Sequence, residues 1–178
     1  MRISTLISAL RLAFSPLSYT QNSQATHARL LKPNRNMTMN VQEPKPRISL
    51  MVFTRDLRIT DNPALSASLK NTKTYCLFVF DDSLISGSRP PLNRLKFLKD
   101  SLQDLALSLK SIGGELIIAS GKWADTVLDV AKKIHASEIN IADDYSTYAT
   151  NRITNLENYC AANKITLNKH PGISIVEP

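Results

Sequence analysis

The sequence has few of the residues from which small metal sites and covalent cross-links are built. Its 178 residues include two cysteines, five glycines and one tryptophan, with no run of 18 apolar residues. Two cysteines cannot form a disulfide-dense scaffold. Without a Cys-x-x-Cys pair or clustered histidines, a zinc site is not expected. A membrane-spanning helix is not expected either, because it needs about 20 apolar residues in succession.

Acidic residues are absent from the first 42 positions, and the first to appear is Glu43. The whole chain has a net charge of +7, but residues 43–178 contain 17 basic and 15 acidic side chains. Most of the basic excess therefore lies in the amino-terminal segment. The charge balance is weak evidence for nucleic-acid binding, and we expect no direct DNA binding by this chain.

Residues 1–45 have the composition of an organellar transit peptide. They are rich in Ser, Thr, Asn, Leu and Arg, which is typical of import signals. Four apolar residues form a short stripe at helical spacing: Ile3, Leu6, Leu10 and Phe14. We interpret the segment as a transit peptide or disordered leader for a chloroplast or mitochondrion. A secretory signal fits less well, because Arg11 interrupts the apolar stretch. The alternative is translation from an internal methionine, which predicts a protein of the cytoplasm or nucleus.

The remainder of the chain alternates apolar runs with amphipathic stretches. Five runs predict strands: Ile48–Thr54, Tyr75–Phe80, Glu115–Ala119, Glu138–Ala142 and Ile165–Lys169. Four stretches predict helices: one from Pro63, then Leu92–Ile112, Trp123–His135 and Tyr148–Asn163. This alternation predicts an α/β fold, a doubly wound (Rossmann-like) five-stranded parallel sheet with helices on both faces. The more polar fifth strand is placed near an edge.

Helical spacing also predicts which side chains pack inward. The stripe of the long helix is Leu95, Leu98, Leu102, Leu105, Leu109 and Ile112. The stripes of the next two helices are Trp123, Val127, Ala131 and Ile134, then Ile153, Leu156 and Cys160. The short helix is capped by Asp61 or Asn62. Cys76 lies in a predicted buried strand, and we interpret both cysteines as core residues.

Ligands of such sheets bind beyond the carboxyl ends of the strands. The segments there are Thr54–Asp61, Asp81–Pro91, Ser120–Trp123 and Asp143–Tyr148. They contain no Gly-x-Gly-x-x-Gly, Walker or Gly-x-Ser-x-Gly motif. A dinucleotide loop, a nucleoside-triphosphate loop and a hydrolase triad are therefore not predicted.

Charged residues in these segments leave two interpretations open. Arg55 and Arg58 can clamp an anion with their side chains, or an Arg–Asp network can tie the first loop to a neighbouring element. Two acidic pairs, at 81–82 and 143–144, can bind a metal or polarise a ligand. They can equally be solvated loop acids or helix caps, which is the commoner outcome. We predict no catalytic residue and no metal ligand among them.

The segment 52–65, Val-Phe-Thr-Arg-Asp-Leu-Arg-Ile-Thr-Asp-Asn-Pro-Ala-Leu, resembles the opening signature of the DNA photolyase/cryptochrome family. Further matching pieces follow in order: Phe78–Asp81, Asn93–Leu105, Gly113–Leu116, Gly121–Trp123, Asp143–Tyr145, Tyr148 and Arg152. The resemblance extends from about residue 47 to the carboxyl terminus. It agrees with the α/β fold derived above.

The resemblance implies that residues 46–178 are the family's N-terminal α/β domain. In many members this domain holds an antenna chromophore: a deazaflavin, a folate or another flavin. The catalytic FAD lies in a following helical domain, and this sequence ends where that domain would begin. We therefore expect a truncated form of a blue-light-dependent DNA repair or light-signalling protein, without repair activity of its own. Whether the chain is an enzyme stays open.

The candidate cofactor-binding residues are Arg55, Asp81, Asp144 and Tyr148. The resemblance favours a deazaflavin over a folate, because the loop after the fourth strand retains the aspartate and the tyrosine of deazaflavin-type members. Ser146 replaces their glutamate, and Tyr148-Ala149 replaces the Asn-Glu pair of folate-type members. Lys122-Trp123 replaces a usual Asp-Pro. Arg58, Asp61 and Asn62 are expected to shape the first loop.

Two alternatives accompany this hypothesis. The chain can be a stand-alone α/β module that binds a small molecule or a protein. It can also dock onto a photolyase-type FAD domain supplied by a separate chain.

Overall fold

The computed structural model describes residues 46–82 and 92–172. Its strands are β1 (Ile48–Phe53), β2 (Lys73–Asp81), β3 (Leu116–Gly121), β4 (Glu138–Ala142) and β5 (Thr166–His170). Its helices are α1 (Pro63–Ser68), α2 (Leu92–Ser111), α3 (Trp123–Lys133) and α4 (Thr147–Asn163). The predicted leader and most of the segment Asp81–Pro91 lie outside the described residues.

The five strands form one parallel sheet in the order β3-β2-β1-β4-β5. The central strand β1 pairs with β2, where Ile48 lies opposite Lys73, and with β4, where Ser49 lies opposite Glu138. The chain runs outward from β1 through β2 to β3 and then returns to β4 on the other side of β1. The predicted doubly wound sheet is confirmed, with its change of direction between β1 and β4.

The apolar run of β1 is continuous because both faces of the sheet are covered. Met51 and Phe53 pack with α1 and α2, whereas Leu50 and Val52 pack with α3 and α4. All four side chains are fully buried. Because both faces are buried, β1 lacks the alternation of apolar and polar residues that is typical of a strand with one exposed face.

Strand β2 is longer than predicted at both ends. It begins at Lys73 because Lys73 and Thr74 pair with Ile48 and Ser49 of β1. It ends at Asp81, which pairs with Gly121 of β3. Polar residues thus continue the strand pairing beyond the apolar run from which β2 was predicted. Asp81 therefore belongs to a strand rather than to a loop.

The predicted inward stripes are confirmed except at their ends. In α2, Leu102, Leu105 and Leu109 are buried, but Ile112 is 60% exposed. The helix ends at Ser111, and Gly113 takes a left-handed φ of +81°. The turn therefore carries Ile112 away from the stripe.

The other helices follow the predicted pattern. Asn62, not Asp61, caps α1, because its side-chain oxygen accepts a hydrogen bond from the Leu65 amide at 3.0 Å. Cys76 and Cys160 are buried, and burial raises the pKa of the Cys76 thiol to about 11. No helix within the described ranges is both long and apolar enough to cross a membrane.

Candidate functional site

The loop after β1 is organised around Asp56, which is only 4% exposed. Its carboxylate accepts hydrogen bonds from the Thr54 amide and from Asn62 Nδ2, both at 3.0 Å. Arg58 donates to the Asp61 carbonyl oxygen through Nη2 at 2.9 Å. Arg58 is therefore used within its own loop, and Asn62 holds the loop against α1. Asp56 was not singled out from the sequence, because nothing in its spacing reveals that it turns inward.

The Arg55 side chain extends from this loop and connects it to the loop after β4. Its Nη1 atom lies 3.2 Å from Asp144 Oδ2, which forms an ion pair across the point where the strand order reverses. The Arg55 side chain is 62% exposed, whereas that of Asp144 is 8% exposed. For Arg55, the structure therefore supports the second interpretation of the first-loop arginines, in which an Arg–Asp contact ties the loop to a neighbouring element.

The Asp144 carboxylate is held in its charged form. Burial alone raises the pKa of this group, but the Ser146 amide and the Arg55 guanidinium outweigh burial, and the net pKa is lowered. The Ser146 amide donates to Asp144 Oδ1 at 3.0 Å. A fixed negative charge with an exposed arginine beside it therefore lies at this edge.

The other two predicted residues form a second pair. The Tyr148 hydroxyl, at the start of α4, donates a hydrogen bond to Asp81 Oδ2 at the end of β2. The four predicted residues thus lie at one edge of the sheet as two couples, Arg55 with Asp144 and Asp81 with Tyr148.

Next to this second pair, Arg152 lies one helical turn after Tyr148. Its guanidinium carbon is 4.5 Å from the centroid of the Trp123 ring and 5.3 Å from that of Tyr148. Trp123 is 3% exposed, so the cation covers a nearly buried ring. The Nε atom of Arg152 is buried and has no hydrogen-bond partner within residues 46–82 and 92–172.

Sequence reasoning gave Arg152 no role and gave Trp123 only a packing role. The spacing of Tyr148 and Arg152, four residues apart on one helix, could have indicated that they share a face. The stacking on Trp123 depends on how α3 and α4 pack together, and no local pattern reveals it.

A cavity of about 510 Å³ opens beside this stack. Its lining includes Asp81, Lys122, Trp123, Arg152, Asn155 and Tyr159. Gly121 brings the end of β3 close to α3, since a Cβ there would lie 2.6 Å from Thr126 Oγ1. The volume falls within the range of about 300–1,000 Å³ that is usual for small-molecule sites.

The cavity has walls of both charges. Arg152 and Lys122 are basic, and Asp81, Asp82 and Asp125 are acidic. The charge of Asp125 and a hydrogen bond to it raise the pKa of Tyr159, so this phenol stays neutral. Within the described part of the chain, no three His, Cys, Asp or Glu side chains are close enough to hold a metal ion.

Comparison with known proteins gives a consistent result. The family model for DNA photolyase matches residues 49–178. A deoxyribodipyrimidine photo-lyase of Streptomyces griseus is 34% identical over 127 residues, which are 71% of this chain and 28% of that protein. Cryptochrome-1 of Aedes aegypti is 28% identical over 63% of this chain and 22% of its own length.

Solved structures give the same picture. A Synechocystis cryptochrome superposes with a TM-score of 0.69 and 25% identity, over 75% of this chain and 29% of that one. An archaeal photolyase from Sulfolobus tokodaii, solved with two FAD molecules, has a TM-score of 0.63 at 23% identity and covers 70% of this chain and 29% of its own. The second likeness concerns the fold alone. The chain spans less than a third of the length of each of these relatives.

Proposed function

This chain belongs to the DNA photolyase family, and from that premise we propose that its α/β domain binds a light-absorbing antenna chromophore at the carboxyl edge of the sheet. The domain then serves as the antenna side of a photolyase or cryptochrome. The observation that carries the proposal is the position of the Arg152 guanidinium, which stacks on Trp123 and lines the 510 Å³ cavity. A guanidinium has five N–H groups, so those other than Nε can donate charged hydrogen bonds to a ligand acceptor in the cavity.

The residues around the cavity fit a planar heteroaromatic group. The Tyr159 ring, which is 40% exposed, offers an apolar surface. Asn155 can donate and accept hydrogen bonds with a ring amide. Arg152 is fixed between Trp123 and Tyr148 and can donate to a ring carbonyl oxygen. When bound, such a chromophore absorbs blue or near-ultraviolet light; the protein binds, orients and desolvates it.

We assign roles to the four predicted residues on this basis. Asp81 lines the cavity, and the Tyr148 hydroxyl donates a hydrogen bond that holds its carboxylate. The Arg55–Asp144 pair lies on the neighbouring part of the same edge and leaves an exposed guanidinium there for an acidic substituent. A deazaflavin is proposed over a folate, since Asp144 and Tyr148 match deazaflavin-type members whereas Tyr148-Ala149 departs from folate-type members.

The test is retention of a chromophore by the full chain. Purified protein is incubated with a deazaflavin or, separately, with a folate, and is then passed through gel filtration. We expect the deazaflavin to elute with the protein at close to one equivalent. Arg152→Gln, which shortens the side chain and removes its positive charge, is expected to lose most of the bound chromophore.

Lys132→Gln is the matched control, because Lys132 is an exposed cation in the last turn of α3. It is expected to retain the chromophore. A folded protein that elutes colourless with both compounds overturns the proposal, as does equal retention by the two variants. Circular dichroism establishes that each variant is folded.

We propose further that repair or signalling by this protein requires a FAD-bearing helical domain, either in the same polypeptide or in a separate chain. Photolyases and cryptochromes are the relatives of this chain, and each is several times longer than the segment it matches. Light-dependent repair of a thymine-dimer oligonucleotide, measured with and without an added FAD domain, tests this point. Repair by the present chain alone would contradict it.

The basic leader supports a proposal about location. Residues 1–45 are proposed to direct import into a chloroplast or mitochondrion, because they lack acids up to Glu43 and combine apolar and basic residues. Fusion of residues 1–45 to a fluorescent protein distinguishes an organelle from the cytoplasm or nucleus.

A further inference from the structure

A second cavity, of about 310 Å³, opens at the amino ends of β1, β2 and β4 and extends along β5. It lies on the face of the sheet that carries α1. The side chains of Glu138 and Asn140 reach this face because Ile139 and Ile141 alternate to the other one. The cavity is therefore separate from the carboxyl-edge site.

The floor of this second cavity is an amide network centred on Asn140, which is fully buried. Asn140 Nδ2 donates to Ser49 Oγ at 2.8 Å and to Glu138 Oε1 at 2.7 Å. Its Oδ1 accepts from Asn168 Nδ2 at 3.1 Å and lies 2.8 Å from His170 Nε2. Since an amide oxygen only accepts, His170 Nε2 carries the hydrogen. Every hydrogen-bonding position of Asn140 is thus used.

Among the described residues that line this cavity, Glu138 is the one carboxylate, and its Oε1 atom is hydrogen-bonded to neutral donors. Glu138 Oε1 accepts from Asn71 Nδ2 at 2.8 Å and from Ser49 Oγ at 3.2 Å, in addition to Asn140. Glu138 forms no ion pair within residues 46–82 and 92–172. Its negative charge remains in the cavity, but the basic groups around it outnumber it.

Two such basic groups line the cavity. Arg47 and Lys70 are exposed at its mouth, and neither side chain forms an ion pair with the described part of the chain. Burial lowers the pKa of His170, Glu138 works against this, and the positive charge of Lys70 lowers it further. The Thr72 hydroxyl and one N–H of Asn168 have no partner among the described residues. Cations and neutral hydrogen-bond donors thus line the same cavity.

We propose that this cavity is a binding site for a small oxyanion of the phosphate class, either free phosphate or a phosphate monoester. Arg47 and Lys70 supply charge, and Thr72 and Asn168 supply neutral donors. The described residues that line the cavity include no Phe, Tyr or Trp, which favours an anion over an aromatic ring as its ligand. The site does not depend on the chromophore proposal.

The first test uses sulfate, because it stays doubly charged over the range in which histidine titrates. The full chain, labelled with ¹⁵N, is titrated and followed by amide chemical shifts. We expect saturable shifts at residues 47, 70–72 and 168–170. The double variant Arg47→Gln/Lys70→Gln is expected to bind sulfate about tenfold more weakly.

The matched control is Lys132→Gln/Lys133→Gln, which removes the same charge from the exposed end of α3. It keeps the affinity of the parent chain. Any binding by the basic leader is common to both variants, so it does not affect their difference. Absence of saturable shifts at the seven positions, or equal affinity of the two variants, overturns the proposal.

A second test uses His170. Acidification from about pH 7.5 to below the lowered pKa of His170 protonates this imidazole and is expected to tighten sulfate binding. Glu138, Lys70 and Arg47 are the other charged groups that face it. His170→Gln keeps a donor for Asn140 but does not titrate, so its affinity should change little with pH. Tightening of equal size in this variant would contradict a role for His170.

The source of the anion is decided by comparing inorganic phosphate with glycerol phosphate at one pH. Tighter binding of the ester indicates a phosphate monoester that places its substituent in the cavity. Equal or weaker binding of the ester indicates free phosphate. Each result supports the site, and failure of both ligands to shift the same amides overturns it.

Discussion

The two ends of the sheet hold their polar groups in different ways. At the carboxyl edge, the Arg55–Asp144 pair reaches across loops, and Arg152 lies on the ring of Trp123. At the amino-end cavity, hydrogen bonds converge on the buried Asn140, and two cations have no ion-pair partner among the described residues. We therefore expect loss of apolar burial to be the costliest change at the carboxyl edge, and loss of hydrogen bonds the costliest change at the other end.

The largest effect is expected at Trp123, which is the anchor of the carboxyl edge. Trp123→Ala removes a side chain that is 3% exposed and should lower the free energy of unfolding by about 3–5 kcal/mol. Loss of the stacked Arg152 contributes about 0.5–1 kcal/mol of this. Urea unfolding followed by circular dichroism measures the change, since the chain has one tryptophan and the variant loses its fluorescence.

Trp123→Phe is the matched control for this prediction. It keeps an aromatic ring under Arg152 and fills most of the space, so it should cost less than half as much as the alanine variant. A cost below about 1 kcal/mol for Trp123→Ala would mean that burial does not hold this edge together.

The next effect is expected at the amino-end network. Asn140→Ala removes four hydrogen bonds at once and leaves His170 and Asn168 without their acceptor. Leaving a buried polar group unsatisfied costs about 1–3 kcal/mol, and this variant should fall in that range. Asn168→Ala is the control, because Asn168 is partly exposed and water can replace it; its cost should stay under about 1 kcal/mol. Equal costs for the two variants would show that Asn140 is not the centre of the network.

The difference between the two ends also explains how much of the molecule the sequence revealed. The strands and helices were predictable because hydrophobic spacing and burial coincide along most of the chain. The buried runs of β1 and β4 and the stripes of α3 and α4 needed no knowledge of distant residues. The predictions were wrong where hydrophobic spacing and burial disagree. Polar Lys73 and Thr74 belong to β2, and apolar Ile112 is exposed rather than packed with the inward residues of α2.

The polar sites were less predictable, because their contacts join residues far apart in sequence. Arg55 and Asp144 could be placed at one edge from the rule for strand ends, but their pairing could not. Asn140 lies in an apolar run, Ile139-Asn140-Ile141, where one polar residue gives no indication of four partners. The stack of Arg152 on Trp123 depends on the packing of α3 against α4, which periodicity does not report.

The smallest effect is expected for the exposed ion pair of the carboxyl edge. Arg55→Gln should lower stability at neutral pH by less than about 1 kcal/mol, because the arginine side chain is largely in water. Its effect on the response to acid is more informative. The folded protein has a lowered pKa at Asp144, so stability from this carboxylate is fully present above its unfolded pKa and is lost as pH falls through its folded pKa.

Removing the Arg55 charge takes away one of the groups that lower this pKa. The folded pKa of Asp144 should then rise, and the loss of stability in acid should become smaller than in the parent chain. Asp144→Asn keeps an acceptor for the Ser146 amide but does not titrate, so it sets the limit in which this contribution is absent. Urea unfolding at neutral and acidic pH compares the three proteins. The contrary result is an equal loss of stability in acid by Arg55→Gln and the parent chain. That result would mean that Arg55 does not lower the pKa of Asp144, and that contacts other than the ion pair hold the two loops together where the strand order reverses.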